Sequence, residues 1–385
     1  MTHEEQALHL HEVWNGKIET APKCHVNSRE DLAMAYTPGV AEPCKVIAKE
    51  PEKVYTYTIK SNTIAVISDG SAVLGLGNIG AKAAMPVMEG KCVLFKEFGD
   101  VNAFPICLDT QDTEEIIKTI VNIAPAFGGI NLEDISAPRC FEIEERLKKL
   151  LDIPVFHDDQ HGTAIVVLAA TINALKVTKR TKKGCRIVVN GAGAAGMAIT
   201  RLLIRYGFKN IIMCDSKGII SRGDPRLNLS KKQIAEITNP DNLTGTLSDA
   251  MTGADIFIGV SAPDCVSQDM VRSMNKDPII FALSNPVPEI MPDKAIEAGA
   301  KVVGTGRSDF PNQINNVIAF PGIFKGALEG RARQITEKMK LAAALALAGL
   351  IPDDELSTEN IIPWPFDPRV KDAVCEAVKA NIRKK

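Results

Sequence analysis

Apolar residues in this chain fall into short dense runs separated by stretches of helical period. Residues 103–108, 129–132 and 155–156 are apolar runs of strand length, and 112–124 and 138–151 between them carry apolar positions three and four apart. Runs this apolar belong to strands buried on both faces, and their alternation with helices predicts a parallel sheet with right-handed crossovers. Upstream, residues 55–67 alternate as a strand, 68–71 form a turn, and 72–77 read as a glycine-interrupted strand or loop. A helix from about Gly80 carries Ala84, Val87, Met88 and Phe95, with Pro86 near its first turn or marking a kink. The first fifty residues read as polar-faced helix, with Ser28 as an N-cap and Thr37-Pro38-Gly39 as a break. A second series begins at Arg186. Strands are predicted at 186–190, 210–214, 255–260, 278–283 and 301–304, and helices from about Phe320 that pack back on the body.

The polar ends of these strands carry the candidate chemistry. Val155-Phe156 runs into His157-Asp158-Asp159-Gln160-His161 before a helical pattern over 163–175, and the 129–132 run ends in Glu133-Asp134. In an open α/β sheet, ligands gather outside the carboxyl ends of the strands. Two acidic pairs there repel one another unless a cation lies between them, and an all-oxygen donor set suits Mg²⁺ or Mn²⁺. Either pair alone also fits a solvated turn. Lys91 flanks the apolar stripe of its helix, where a lysine by default extends to solvent.

In the second series, Gly191-Ala192-Gly193-Ala194-Ala195-Gly196 lies between a strand and a helix. In that context the glycines permit a tight turn, close approach of a pyrophosphate, and close helix–strand packing. Asp215 ends the next strand, where an acid accepts hydrogen bonds from ribose hydroxyls, which favours NAD over NADP; Lys217 weakens that preference. Ser261, Asn285 and the asparagines of 312–316 fall on the same edge.

Bulk properties narrow the class. The chain of 385 residues suits two domains, and the basic stretch 176–186 marks entry to the second. A net charge of −2 gives no field for nucleic acid or an anionic membrane. Nine scattered cysteines without a Cys-x-x-Cys, a polar N-terminus and no membrane-length apolar run point to a cytoplasmic protein.

Taken together, the motifs resemble the malic enzyme family, in its short bacterial-type form, over roughly residues 15–380. Tyr36-Thr37-Pro38-Gly39, Met88-Glu89-Gly90-Lys91, Asn131-Leu132-Glu133-Asp134, His157 to Thr163, Gly191 to Gly196, Ser284-Asn285-Pro286 and Asn315-Asn316-Val317 carry the likeness. The resemblance implies an N-terminal catalytic α/β domain with a parallel sheet (1–160), then a Rossmann-type doubly wound dinucleotide-binding domain with C-terminal helices (161–385). It implies oxidative decarboxylation of L-malate to pyruvate with NAD or NADP, a divalent metal and a homodimer. Residue by residue, it makes Glu133, Asp134 and Asp159 metal ligands, Lys91 the general base, and Tyr36 the general acid. Asp158 positions the lysine, and Asn285 and Asn316 contact the substrate. The cofactor falls to Gly191, Gly193, Ala194, Ala195, Gly196, Asp215 and Asn285. Longer members grip the malate carboxylate with an arginine in an Arg-Gly-Leu-Tyr context that does not occur here. Backbone N–H groups of residues 70–80 or a partner subunit are left for that role. Three other readings stay open: a malolactic-type enzyme, a zinc hydrolase using His157 and His161, and a non-catalytic dinucleotide sensor.

Overall fold

The computed structural model describes residues 2–73 and 75–382. Strand β1 (Thr63–Ser68) is buried at every position and forms a sheet with β2 (Asn102–Cys107), β3 (Gly129–Leu132) and β4 (Val155–His157) in the order β2-β1-β3-β4. All its pairings are parallel, as unbroken apolar runs require. β1 starts later than the alternation over 55–67 predicts, because Val54–Tyr57 is helical and Ile59–Asn62 forms a 3-10 turn. There the Lys60 ammonium turns inward and donates to the carbonyls of Ala124 and Phe127.

The second sheet has the order β10-β9-β8-β5-β6-β7, built from β5 (Arg186–Asn190), β6 (Asn210–Asp215), β7 (Gly218–Ile219), β8 (Ile256–Gly259), β9 (Ile279–Ala282) and β10 (Val302–Thr305). Only the two-residue β7 runs antiparallel. In each sheet the first strand is flanked by later strands on both sides, β2 and β3 around β1, β6 and β8 around β5. Each sheet therefore has a topological switch point, and the crevice there opens at the carboxyl ends.

The Asp158–Val177 helix joins the two sheets. From Ala164 to Ala170 every side chain is at most 3% exposed, since a helix apolar all round must be covered all round. It starts at Asp158, five residues before the 163–175 pattern. The two acids in its first turn face the positive end of the helix dipole, and His157 occupies the cap position. The C-terminal helices Phe320–Glu329, Glu337–Ala348 and Arg369–Lys379 return to the body as expected. Phe324 meets Phe95 and Phe156 edge-on at 5.3 and 5.8 Å, and Asn173 donates to the carbonyls of Ala348 and Ile361. One apolar core runs from Ile64 and Phe95 through the joining helix to Ile187 and Phe281.

Residues 2–50 pack differently. The helices His3–Trp14, Arg29–Ala35 and Ala41–Lys49 bury no residue, and Leu8, Val13, Trp14, Leu32, Met34 and Tyr36 are each at least 50% exposed. Pro86 lies inside the Gly80–Gly99 helix, beyond its first turn. Seven of the nine free cysteines are buried or half-buried, and no helix among the described residues is long and apolar enough to cross a membrane.

Candidate active site

The switch point of the first sheet gathers five charged side chains. The Gly80–Gly99 helix buries Ala84, Met88, Lys91, Cys92 and Phe95 on one face. Lys91 lies within that stripe and is 8% exposed, where spacing alone predicts extension to solvent. Local partners explain the difference: its Nζ lies 2.7 Å from Glu133 Oε1 and 2.7 Å from Asp158 Oδ2, and 4.3 Å above the Phe320 ring. Burial works against the Lys91 ammonium, but Asp158, Glu133 and Asp159 together outweigh it and raise its pKa.

Glu133 and Asp134 extend β3, and Asp159 stands in the first turn of the joining helix. One carboxylate oxygen from each of these three lies within 4.8 Å of the others. The Asp134 backbone, in the left-handed region at φ 53°, donates its N–H to Asp159 Oδ2 at 2.9 Å. Asn131 Nδ2 donates to Glu133 Oε2 at 2.8 Å. Burial, then repulsion from Asp159 and Glu133, pushes the Asp134 carboxyl up to about 9. Burial pushes Asp158 up to about 8 against the pull of Lys91, and burial likewise raises Glu133. Asp134 Oδ2 is buried without a hydrogen-bond partner. Three converging hard oxygens, one unpartnered and two on buried, mutually repelling carboxyls, fit a divalent cation.

Asp158 is shaped by a neighbour. A Cβ on Gly162 would lie 1.9 Å from Asp158 Oδ1 and 3.1 Å from Asn316 Cβ. The glycine thus lets the Asp158 side chain fold back beside Asn316 while reaching Lys91. Asn285 approaches from the second sheet: its carbonyl would lie 3.3 Å from a Cβ on Gly75, in the loop after β1.

At the second switch point the glycine turn meets its structural requirements. Gly191 has φ 118°, and a Cβ there would lie 2.4 Å from the Val260 carbonyl oxygen; one on Gly196 would lie 1.8 Å from that of Gly191. Gly193 faces open space and caps the Ala194–Tyr206 helix without a side-chain hydrogen bond. The first-turn N–H groups, Ala194 and Ala195 included, are thereby left for an anion, and the turn fits a dinucleotide pyrophosphate.

Several residues gave no sequence signal. Lys231 pairs with Asp215 Oδ2 from a helix downstream, while Lys217 contributes only its backbone N–H. Buried Glu289 accepts from the N–H groups of Ser261 at 2.8 Å and Ser284 at 3.0 Å, tying together the ends of β8 and β9. Arg139 Nη2 bonds Asp69 Oδ2 at 2.6 Å and Ser71 Oγ at 2.8 Å, bracing the turn after β1. The N–H groups of Ala72, Val73, Gly77, Ile79 and Gly80 are engaged by protein carbonyls, so they are not spare donors for a substrate carboxylate.

Tyr36 is not drawn into this cluster. It is 67% exposed at the end of the Arg29–Ala35 helix, and no hydrogen bond among the described residues joins it to Lys91. Nor do His157 and His161 converge as zinc ligands. The segment from Asp158 is a helix start, and His161 Nε2 turns to Glu144 at 2.9 Å while the fully buried His157 ring lacks a hydrogen-bond partner. Burial drives the His161 pKa down to about 4.

Comparison with known proteins places the chain in a family. The family model for the malic enzyme N-terminal domain matches residues 15–118 and 110–148, and that for the malic enzyme NAD binding domain matches 160–378. The bifunctional malic/malolactic enzyme of Bacillus subtilis (strain 168) is 58% identical, covering 98% of this chain and 92% of its own. The NAD-dependent malic enzyme of Geobacillus stearothermophilus is 59% identical, covering 94% and 76%. Among solved structures, the NAD-dependent malic enzyme from Thermotoga maritima superposes with a TM-score of 0.94 at 52% identity, covering 97% of this chain and 98% of that one. On its domains, its relatives and its fold, this chain belongs to the malic enzyme family.

Proposed function

We propose that the chain oxidises L-malate and releases pyruvate and CO₂, reducing NAD and accommodating NADP, with Mg²⁺ or Mn²⁺ required. The observation that carries this reading is Lys91, pinned between Glu133 and Asp158 beside a carboxylate cluster suited to a cation. Glu133, Asp134 and Asp159 would hold the metal. When bound, the metal supplies Lewis-acid polarisation of the substrate oxygens, and the nicotinamide supplies the hydride acceptor. Lys91 accepts the hydroxyl proton. Glu133 and Asp159, two of the carboxylates that hold it protonated, would lose that influence once their charge is shared with a cation, whose own charge favours the neutral amine. Asp158 orients the amine, Asn285 and Asn316 hold the substrate, and Tyr36 returns a proton to C3 after CO₂ departs. Residues 1–160 carry the chemistry and 161–385 the dinucleotide in this reading, and unpaired thiols suit a cytoplasmic setting. Lys231 offsets the charge of Asp215, so the 2′-phosphate of NADP meets less repulsion than a lone aspartate would give.

The test is absorbance at the reduced-nicotinamide band with L-malate and Mn²⁺, comparing NAD with NADP and adding EDTA as control. Metal-dependent reduction with pyruvate accumulating is the expected result; untouched malate would refute the reading. A relative named as a bifunctional malic/malolactic enzyme keeps a second outcome in view: malate consumed, lactate formed and no net reduced nicotinamide.

The exposed apolar residues of 2–50 suit cover by a second copy, and a homodimer would let Tyr36 of one subunit serve the Lys91 site of the other. Mixing inactive Tyr36→Phe and Lys91→Ala chains should then restore about a quarter of the wild-type rate, the statistical yield of intact sites in a two-fold dimer. No recovery after verified subunit exchange would place Tyr36 in its own chain's site.

A further inference from the structure

A cavity of about 620 Å³ lies beside the joining helix, bounded by the Arg139–Leu150, Ala194–Tyr206 and Glu337–Ala348 helices, and Lys91 is not among its lining residues. That volume suits a ligand of nucleotide size. Phe141, Ala164, Met197 and Leu202 make one wall apolar. The rest is polar and charged: Lys148, Lys340, Arg201 and Arg205 line it together with Glu144, Glu145 and Glu337. Lys148 is paired with Glu144 at 2.8 Å, and Lys340 with Glu337. Arg201 and Arg205 stand one turn apart on the same helix face, exposed at the mouth, and form no ion pair among the described residues.

Two buried groups show that this is more than a surface patch. Lys340 is 3% exposed, with its Nζ 3.1 Å from His161 Nδ1. Burial, reinforced by Lys148 against the pull of Glu337, holds its pKa below the ordinary value. Gln160 lines the same cavity at 5% exposure, and its amide nitrogen is buried without a partner. An unsatisfied buried amide costs stability unless something supplies an acceptor. Two neighbouring guanidiniums with no carboxylate partner similarly call for an anion.

We propose that this cavity is a second ligand site, distinct from the dinucleotide turn, that takes a nucleoside diphosphate. The Arg201 and Arg205 forks, one turn apart, match adjacent phosphate groups, while Lys340 keeps its pairing with Glu337. The wall of Phe141, Met197 and Leu202 receives the base, and the amides of Gln160 and Gln233 supply its polar contacts. The two arginines sit ~10 and ~16 Å along the helix axis from Ala194, where the cofactor pyrophosphate docks. A dinucleotide at that turn leaves them free.

The experiment is calorimetric titration of ADP into the full chain already saturated with NADH, without divalent cation, so that the dinucleotide turn is filled. Binding of one ADP per chain is expected, weakened at least tenfold in the Arg201→Ala/Arg205→Ala double variant, with NADH affinity and circular dichroism unchanged. Pyrophosphate should bind at least tenfold more weakly than ADP. Absence of ADP binding under NADH saturation, or an affinity indifferent to the double variant, would overturn the proposal. Pyrophosphate binding as tightly as ADP would equally overturn it, reducing the site to an unselective anion patch.

Discussion

Gly162→Ala should leave a folded protein with its dinucleotide affinity intact and its malate turnover lowered by about two orders of magnitude. The added methyl would stand 1.9 Å from Asp158 Oδ1 and 2.9 Å from its Cγ, so the carboxylate must swing away. It has no free swing available, because its other oxygen is bonded to Lys91 at 2.7 Å. Moving it releases one of the two anchors of Lys91 and presses on Asn316. Displacement of a catalytic group by about 1 Å costs roughly a hundredfold in rate. The fold should tolerate the change, since alanine is favoured over glycine inside a helix by about 1 kcal/mol. Steady-state kinetics with malate, alongside fluorescence titration of NADH, checks both halves. Wild-type turnover would show that Asp158 need not fold back over Gly162.

Lys91→Ala should abolish malate oxidation, with kcat falling by about three orders of magnitude or more, while NADH binding stays unchanged. A positioned general base contributes about 10²–10⁴ to rate, and the substitution also removes the charge that holds Asp158 and Glu133 in place. These two carboxyls, already raised by burial, should take up protons rather than remain as buried anions. The variant should therefore fold. Oxaloacetate supplied directly already bears the ketone, so its metal-dependent decarboxylation needs no hydroxyl proton removed and should fall less than malate oxidation does. Equal losses in the two assays would assign Lys91 to the decarboxylation step or to the site's architecture; unchanged malate turnover would remove it from the chemistry.

The strands and their order of chemistry were legible in the sequence because buried parallel strands are written as plain apolar runs, and β3 and β4 each end in acids that have no reason to be there in a core. The glycine turn was legible for a similar reason: Gly191 and Gly196 satisfy steric demands that other residues fail. Lys91 was not legible from spacing, since whether a lysine reaches solvent or a carboxylate depends on what packs over it, here Asp158 from another strand end and Phe320 from the far end of the chain. Lys231, Glu289 and Arg139 were invisible for the same cause: each acts across a tertiary contact that leaves no local period. The start of the joining helix was misplaced because His157-Asp158-Asp159 is polar, and an N-terminal turn that lies over a buried charged site has no apolar stripe to announce it. Tyr36 was found by its motif alone, and its exposed setting follows from the absence of any core beneath residues 2–50.

The helix that begins with Asp158 has a thermodynamic consequence. Its first turn completes the carboxylate cluster of one sheet, and its middle lies in an apolar core shared with strands of the other. A cut between residues 160 and 161 would fall inside that first turn, leaving each fragment with half of a common interior exposed to water. The two sheets are then not independent folding units. Heat should melt them in a single transition, and a ligand held at either end, cation or dinucleotide, should raise the melting temperature of the whole molecule rather than of the half that binds it.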